Sequence, residues 1–260
     1  LRRSGHRPTG VIVTGPFRSG TSLVSGILAD LGVFFGSSAE TRPPPDRYNP
    51  LGYFQRREIV SANSRYIASA GGTLANPGTP AALLSNGDWK ILASTSLSWQ
   101  EGTLLWGMKD PRFSATLPSW VSVGRFADSD LKIVRVKRDV GAAASSAMKH
   151  KEVREYCDND PLQAIAMTKA YDDNAALMAA KLDVPVCVVS FESLIADPRP
   201  EVERLAHYLD IGSTARVGHA SRLVGKRRAL LAHYLRKAAA PALLADTIAR
   251  TVRARVLPLG

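Results

Sequence analysis

The sequence predicts an α/β fold: three layers, with a central, mainly parallel β-sheet flanked by helices. Three observations predict it. Short apolar, β-branched runs such as Val11-Ile12-Val13-Thr14 suit strands buried on both faces. Each run is followed by a turn signal and then by apolar residues at helical spacing, so strand and helix alternate. At 260 residues and 45% hydrophobic content, the chain can bury one core of ordinary size, and residues 1–260 are expected to form one domain.

Taken in order, residues 1–8 are basic and turn-rich and read as a loose lead-in. After the Val11–Thr14 strand, Gly15 to Gly20 make a turn. Leu23, Val24, Ile27, Leu28 and Leu31 then recur at helical spacing, and Gly32 supplies the stop. Asp46 to Gly52 reads as loop. Ile59, Val60, Asn63, Tyr66 and Ile67 mark a helix running towards Gly71-Gly72. Gly71 to Asp88 is rich in Gly, Pro, Ser and Asn and reads as a surface excursion or mobile lid. Leu104 to Met108 is a strand leading into Lys109-Asp110-Pro111-Arg112, and Leu131 to Val136 is another, followed at Asp139 by an Ala/Ser-rich helix. Pro161 to Lys181 is helical, with proline allowed in the first turn. Val184 to Ser190 is a further strand, and Asp197-Pro198 opens a helix carrying Val202, Leu205, Ala206 and Leu209. From Lys226 the chain reads as Arg/Ala/Leu helices, one of them starting at Pro241. No internal repeat is visible.

Composition narrows the function classes. Lys+Arg 34 against Asp+Glu 23 gives a net charge of +11, which favours an anionic partner: nucleotide, nucleic acid, acidic membrane or acidic glycan. Basicity alone does not choose among these, and a merely solvated basic surface has the same composition. The two cysteines, Cys157 and Cys187, show no metal-ligand spacing and imply no disulfide framework. No stretch is long and apolar enough to cross a bilayer, and no secretory signal is visible, so a cytoplasmic location is expected. The sequence opens at Leu1 rather than Met, which leaves the native terminus open.

Gly15-Pro16-Phe17-Arg18-Ser19-Gly20-Thr21-Ser22 joins the first strand to the first helix. A loop there points free N–H groups and the positive end of the helix dipole at a bound anion. It resembles a Walker A motif, but Thr21 stands where the Walker lysine belongs, and the cation sits three residues earlier at Arg18. A cation at the tip of the loop can meet a shorter phosphosulfate and its bridging oxygen. The pattern resembles the 5′-phosphosulfate loop of sulfotransferases that use 3′-phosphoadenosine 5′-phosphosulfate (PAPS), in which Lys or Arg precedes Ser-Gly-Thr. At the second junction, Arg138 ends a strand and Ser146 follows it by eight residues, with Ser145 as an alternative. An arginine fork and a hydroxyl suit a dianionic phosphate. In the same family an Arg and a Ser at this spacing bind the 3′-phosphate.

The resemblance implies a P-loop NTPase-like fold, PAPS as co-substrate and 3′,5′-ADP as product. Arg18, Ser19, Gly20, Thr21 and Ser22 would hold the phosphosulfate, and Arg138 and Ser146 the 3′-phosphate. The basic turn at Lys226 and Arg227 either folds over the nucleotide or is an exposed helix start. Asn49-Pro50-Leu51-Gly52-Tyr53-Phe54 is similar to a segment of bacterial sulfotransferases, and Glu58-Ile59-Val60-Ser61-Ala62-Asn63 to a stretch of the heparan-type enzymes whose glutamate is the catalytic base. Glu58 is therefore the expected base. Many bacterial relatives carry Glu directly after the aromatic pair, where this chain has Gln55. Trp106 to Arg112 resembles another family segment, in which Lys109 would meet the sulfonate or bridging oxygen, Asp110 would orient it, and Arg112 would face acceptor or nucleotide. None of the five histidines is assigned a catalytic part.

No metal is expected, and the expected partner is a small-molecule or carbohydrate acceptor, not nucleic acid. Two readings compete. A P-loop nucleotide kinase or NTPase would need a Walker lysine and a strand-terminal Asp for Mg²⁺. A basic polyanion-binding module would explain the charge but not the Arg138/Ser146 pair.

Overall fold

The computed structural model describes residues 7–37, 41–42, 46, 49, 51–97, 102–212 and 215–225. The expectations for residues 1–6 and from Lys226 onward, including the helix start at Pro241, lie outside the described residues. In chain order the elements are β1 (Thr9–Thr14), α1 (Thr21–Leu31), β2 (Thr41–Arg42), β3 (Gln55–Arg56), α2 (Arg57–Ser69), α3 (Pro80–Asn86), α4 (Trp89–Ala93) and β4 (Leu105–Lys109). Next come α5 (Phe113–Ser122), β5 (Asp130–Lys137), α6 (Val140–Met148), α7 (Lys151–Glu155), α8 (Pro161–Lys181), β6 (Val186–Ser190), α9 (Phe191–Ala196) and α10 (Pro198–Tyr208). Residues 215–225 form a further helix.

The main sheet has the order β4-β1-β5-β6, and every pairing in it is parallel. Alternation along the strands explains the layers. Val11, Val13, Val134, Val136 and Val189 face one side, against α1, α10 and the helix at 215–225. Ile12, Met108 and Ile133 face the other, against Ile59 and Tyr66 of α2 and Phe113 and Trp120 of α5. In β1 the run Val11 to Val13 is apolar and fully buried because both faces of the sheet are covered there. The three-layer α/β architecture predicted from the sequence is the one observed.

A third cluster matters for the site. Phe17, at the tip of the first loop, is packed among Ala144 and Ala147 of α6, Val153 of α7 and Tyr171 of α8. Its ring lies 5.1 Å from that of Tyr171 in an edge-on contact. The loop after β1 is thus anchored to the helices after β5.

The β2–β3 pair and the helices α4, α5 and α7 are not part of the sequence reading, and one further stretch differs from it. The stretch from Gly71 to Asp88 contains α3, which Thr79 caps by accepting from the Ala82 amide, with Pro80 in the first turn. The stretch is also tied down. Tyr66 donates to the Leu83 carbonyl at 2.7 Å, Asn174 to that of Gly78 at 2.7 Å and Tyr171 to that of Leu74 at 3.1 Å. Leu83 is fully buried and anchors a stretch whose other residues are mostly exposed or half-buried, so the stretch is a surface excursion pinned to the body by a helix. Among the described residues no helix is long and apolar enough to cross a membrane.

Candidate active site

The chain leaves β1 for β4 on one side and later crosses to β5 on the other. That reversal opens a crevice beyond the carboxyl ends of the strands, the place where parallel α/β sheets bind ligands. Three residue sets meet there: the loop after β1, the end of β4 and the end of β5.

Steric limits shape the first loop. A Cβ on Gly15 would stand 2.3 Å from the Val136 carbonyl oxygen, and one on Gly20 would stand 2.3 Å from the Phe191 ring. Gly20 also has φ 103° and begins α1 with no side chain capping it. The first-turn amides of α1 therefore have no capping side chain and form a ready anion site. Arg18 adopts φ 66°, a left-handed conformation uncommon for a residue with a side chain. Ser19 is fully buried, and its hydroxyl finds no partner among the described residues.

The second junction touches the first. Arg138 donates from Nη1 to the Arg18 carbonyl at 2.8 Å, and Arg18 donates from Nε to the Ser146 hydroxyl at 3.4 Å. The Arg138 guanidinium also lies 4.5 Å from the centre of the Phe191 ring, a cation–π contact that holds it over the end of β6. Burial lowers its pKa, and its Nε has no partner among the described residues. A buried donor of this kind costs stability unless a ligand meets it.

At the end of β4, Lys109 is 5% exposed. Burial lowers its pKa to about 7; Asp110 opposes that shift, and Arg18 and Arg112 add to it. Asp110, fully buried, accepts from Arg112 Nη1 at 2.9 Å and from Asn63 Nδ2 at 2.9 Å. Asn63 in turn accepts from Thr116 and Trp120, each at 2.8 Å.

These groups surround one cavity of about 430 Å³, within the range of small-molecule sites. Arg18, Gly20, Thr21 and Ser22 line it, and so do Lys109, Arg138 and Ser146. The model of the sulfotransferase family matches residues 8–214. The chain belongs to the sulfotransferase family.

Solved structures resemble this sulfotransferase at low identity. The sulfotransferase domain from the Synechococcus PCC 7002 olefin synthase is 18% identical, covering 84% of this chain and 78% of that one, with a TM-score of 0.49. The sulfotransferase domain from the curacin biosynthetic pathway is 15% identical, over 82% and 77% of the two chains, with a TM-score of 0.46. A sulfotransferase from Alicyclobacillus acidocaldarius is 16% identical, over 89% and 97%, with a TM-score of 0.42. No curated protein matches the chain.

Two expected site residues sit apart from the sulfotransferase cavity. Ser19 lies beneath the loop and is not in its wall. Glu58 is not in the wall either; its carboxylate pairs with Arg56 Nε at 2.5 Å, while Gln55, Arg57 and Val60 face the cavity from the same segment. Lys226 and Arg227 lie outside the described residues.

The structure also adds groups that sequence reasoning passed over. Tyr53 donates to Asp46 Oδ2 at 2.9 Å and lies 3.0 Å from His150 Nε2. Tyr53 and His150 both line the cavity. Burial and the Asp46 bond push the Tyr53 pKa up to about 12, while burial and then Arg18 lower that of His150 and favour the neutral ring. One signal was available: His150 follows Ser146 by four residues, just past the end of α6.

Proposed function

We propose that this sulfotransferase moves a sulfuryl group from PAPS to an acceptor hydroxyl and releases 3′,5′-ADP. The supporting observation is the direct link between the two junctions, Arg138 Nη1 to the Arg18 carbonyl at 2.8 Å across one cavity. A single nucleotide can then be held at both anionic ends, the 3′-phosphate by Arg138 and Ser146 and the phosphosulfate by Arg18 and the first amides of α1. The buried Nε of half-buried Arg138, which has no partner among the described residues, fits this role, since a phosphate oxygen would satisfy it.

In the proposed reaction the acceptor oxygen attacks sulfur in line. The bond from sulfur to the bridging oxygen breaks, and Arg18 and Lys109 stabilise the charge that develops there. For the acceptor proton we propose the His150 ring as the base that takes it, oriented by Tyr53, which donates to Asp46. His150 is preferred to Glu58 because Tyr53 and His150 line the cavity and the Glu58 carboxylate pairs with Arg56. Replacing His150 with Asn is then expected to slow transfer by ~10²-fold or more, the scale of general-base catalysis, and Glu58→Gln to leave it within a few-fold. Rates of 3′,5′-ADP release from PAPS in the two variants check this; the opposite ranking returns the role to Glu58. The acceptor is a carbohydrate or a hydroxylated natural product.

Donor identity is tested by thermal shift with 3′,5′-ADP, ATP and an oligonucleotide. Saturation at about 100 times the dissociation constant should stabilise the protein by ~2.7 kcal/mol with 3′,5′-ADP. Arg138→Ala should lose most of that shift. An equal shift with ATP would favour a kinase-like activity, and one with the oligonucleotide alone a polyanion-binding module.

A further inference from the structure

The order of the strand ends divides the cavity. Arg138 stands at the end of β5, the phosphosulfate loop at the end of β1, and Lys109 and Arg112 at or just beyond the end of β4. A donor spanning β5 and β1 therefore presents its sulfuryl group towards β4. The β4 side is where the acceptor must approach.

That side carries a fixed cation beyond those assigned to the donor. Arg112 lines the cavity and is 4% exposed. Its backbone N–H and Nη1 both donate to Asp110 Oδ1, at 3.1 and 2.9 Å, and its guanidinium lies 5.3 Å from the centre of the Phe17 ring. Asp110 is itself fixed by Asn63 of α2, which Thr116 and Trp120 of α5 hold by hydrogen bonds. Residues from two helices and a strand end thus converge to fix one guanidinium at the cavity wall. Its Nε remains buried with no partner among the described residues. Leaving a charged donor unmet in a dry wall is costly, and an anion supplied by a ligand removes the cost. Arg57, exposed on the wall contributed by α2, adds a second positive charge, whereas Glu152 is the one carboxylate among the cavity's described lining residues.

We infer that the acceptor carries an anionic group in addition to its hydroxyl, and that Arg112 receives that group with Arg57 supporting it. The inference rests on the sulfotransferase reading for the direction from which the acceptor enters. Phe17, Tyr53 and Tyr156 supply aromatic wall, so an aromatic hydroxy acid is a suitable probe.

The experiment saturates the protein with 3′,5′-ADP and titrates 4-hydroxyphenylacetate and its neutral counterpart, 4-hydroxyphenylacetamide, by calorimetry. The acid should bind ~10- to 100-fold more tightly, the scale of a charge-assisted hydrogen bond. Arg112→Gln should erase that preference while 3′,5′-ADP still binds. Arg57→Gln, a change at an exposed position, should narrow it several-fold and decides the matter if Arg112→Gln does not fold. Equal affinity for acid and amide, no binding of either, or a preference unchanged in the variants overturns the inference. Failure of 3′,5′-ADP to bind strikes the donor reading instead, and the acid–amide comparison on the nucleotide-free protein still decides the charge of the acceptor.

Discussion

Arg18→Ala is expected to slow the release of 3′,5′-ADP from PAPS by ~10²–10³-fold, the loss seen when one preorganised oxyanion donor is removed. The argument begins with backbone geometry. Arg18 holds φ 66°, a conformation that costs a residue with a side chain about 1 kcal/mol or more. Phe17 anchors the loop to α6, α7 and α8, so this conformation is set by packing. The side chain is then directed across the cavity to Ser146. Binding of 3′,5′-ADP should change much less than the rate, because the Arg138 bond is accepted by the Arg18 carbonyl, which alanine keeps. Arg18→Lys should recover part of the rate, since a point charge remains but the fork is lost. A rate for Arg18→Ala within three-fold of the parent protein would remove Arg18 from the mechanism.

The contrast between Arg18 and His150 shows which parts of the site were legible in the sequence. Arg18 and its loop follow from local order alone: strand, Gly-bounded turn, helix. Arg138 and Ser146 are likewise fixed by one strand end and the helix after it. The four strands of the main sheet were legible for the same reason, since each is a short apolar run with its own stop signals. His150 is different, because its contact with Tyr53 joins residues 97 apart and depends on how the two segments pack. Arg112 depends on Asn63, whose amide reaches Asp110 from 47 residues away. The Glu58 motif does not say which face of α2 meets the cavity, and the α2 residues in its wall are Arg57 and Val60. In the stretch from Gly71 to Asp88 the Gly and Pro content pointed to a loop, although Thr79-Pro80 is a helix-start signal.

Lys109 should make donor binding depend on pH near neutrality. Its pKa in the free protein is lowered to about 7, first by burial and then by Arg18 and Arg112. The dianionic phosphosulfate of the donor, placed against it, favours the ammonium form and raises that value. Below pH 7 the lysine already carries its proton, so affinity for PAPS is full. As pH rises through 7, binding must draw a proton from solution, and affinity should fall by up to about tenfold per pH unit, since one proton is linked. Calorimetry at pH 8 in buffers of different ionisation enthalpy should record an uptake approaching one proton per site. Lys109→Met should abolish both the uptake and the pH dependence. Folding gives the complementary sign. Between about 7 and the ordinary lysine value of 10.5 the unfolded chain holds the extra proton, so stability of the free protein rises with pH across that window. Below 7 the buried ammonium exerts its whole penalty, roughly 5 kcal/mol for a shift of this size. Lys109→Met should therefore be more stable than the parent protein at pH 6, with the difference shrinking as pH rises towards 10. A parent protein whose donor affinity and stability are both flat from pH 6 to 9 would mean that Lys109 stays charged throughout, and the proton uptake would be lost with it.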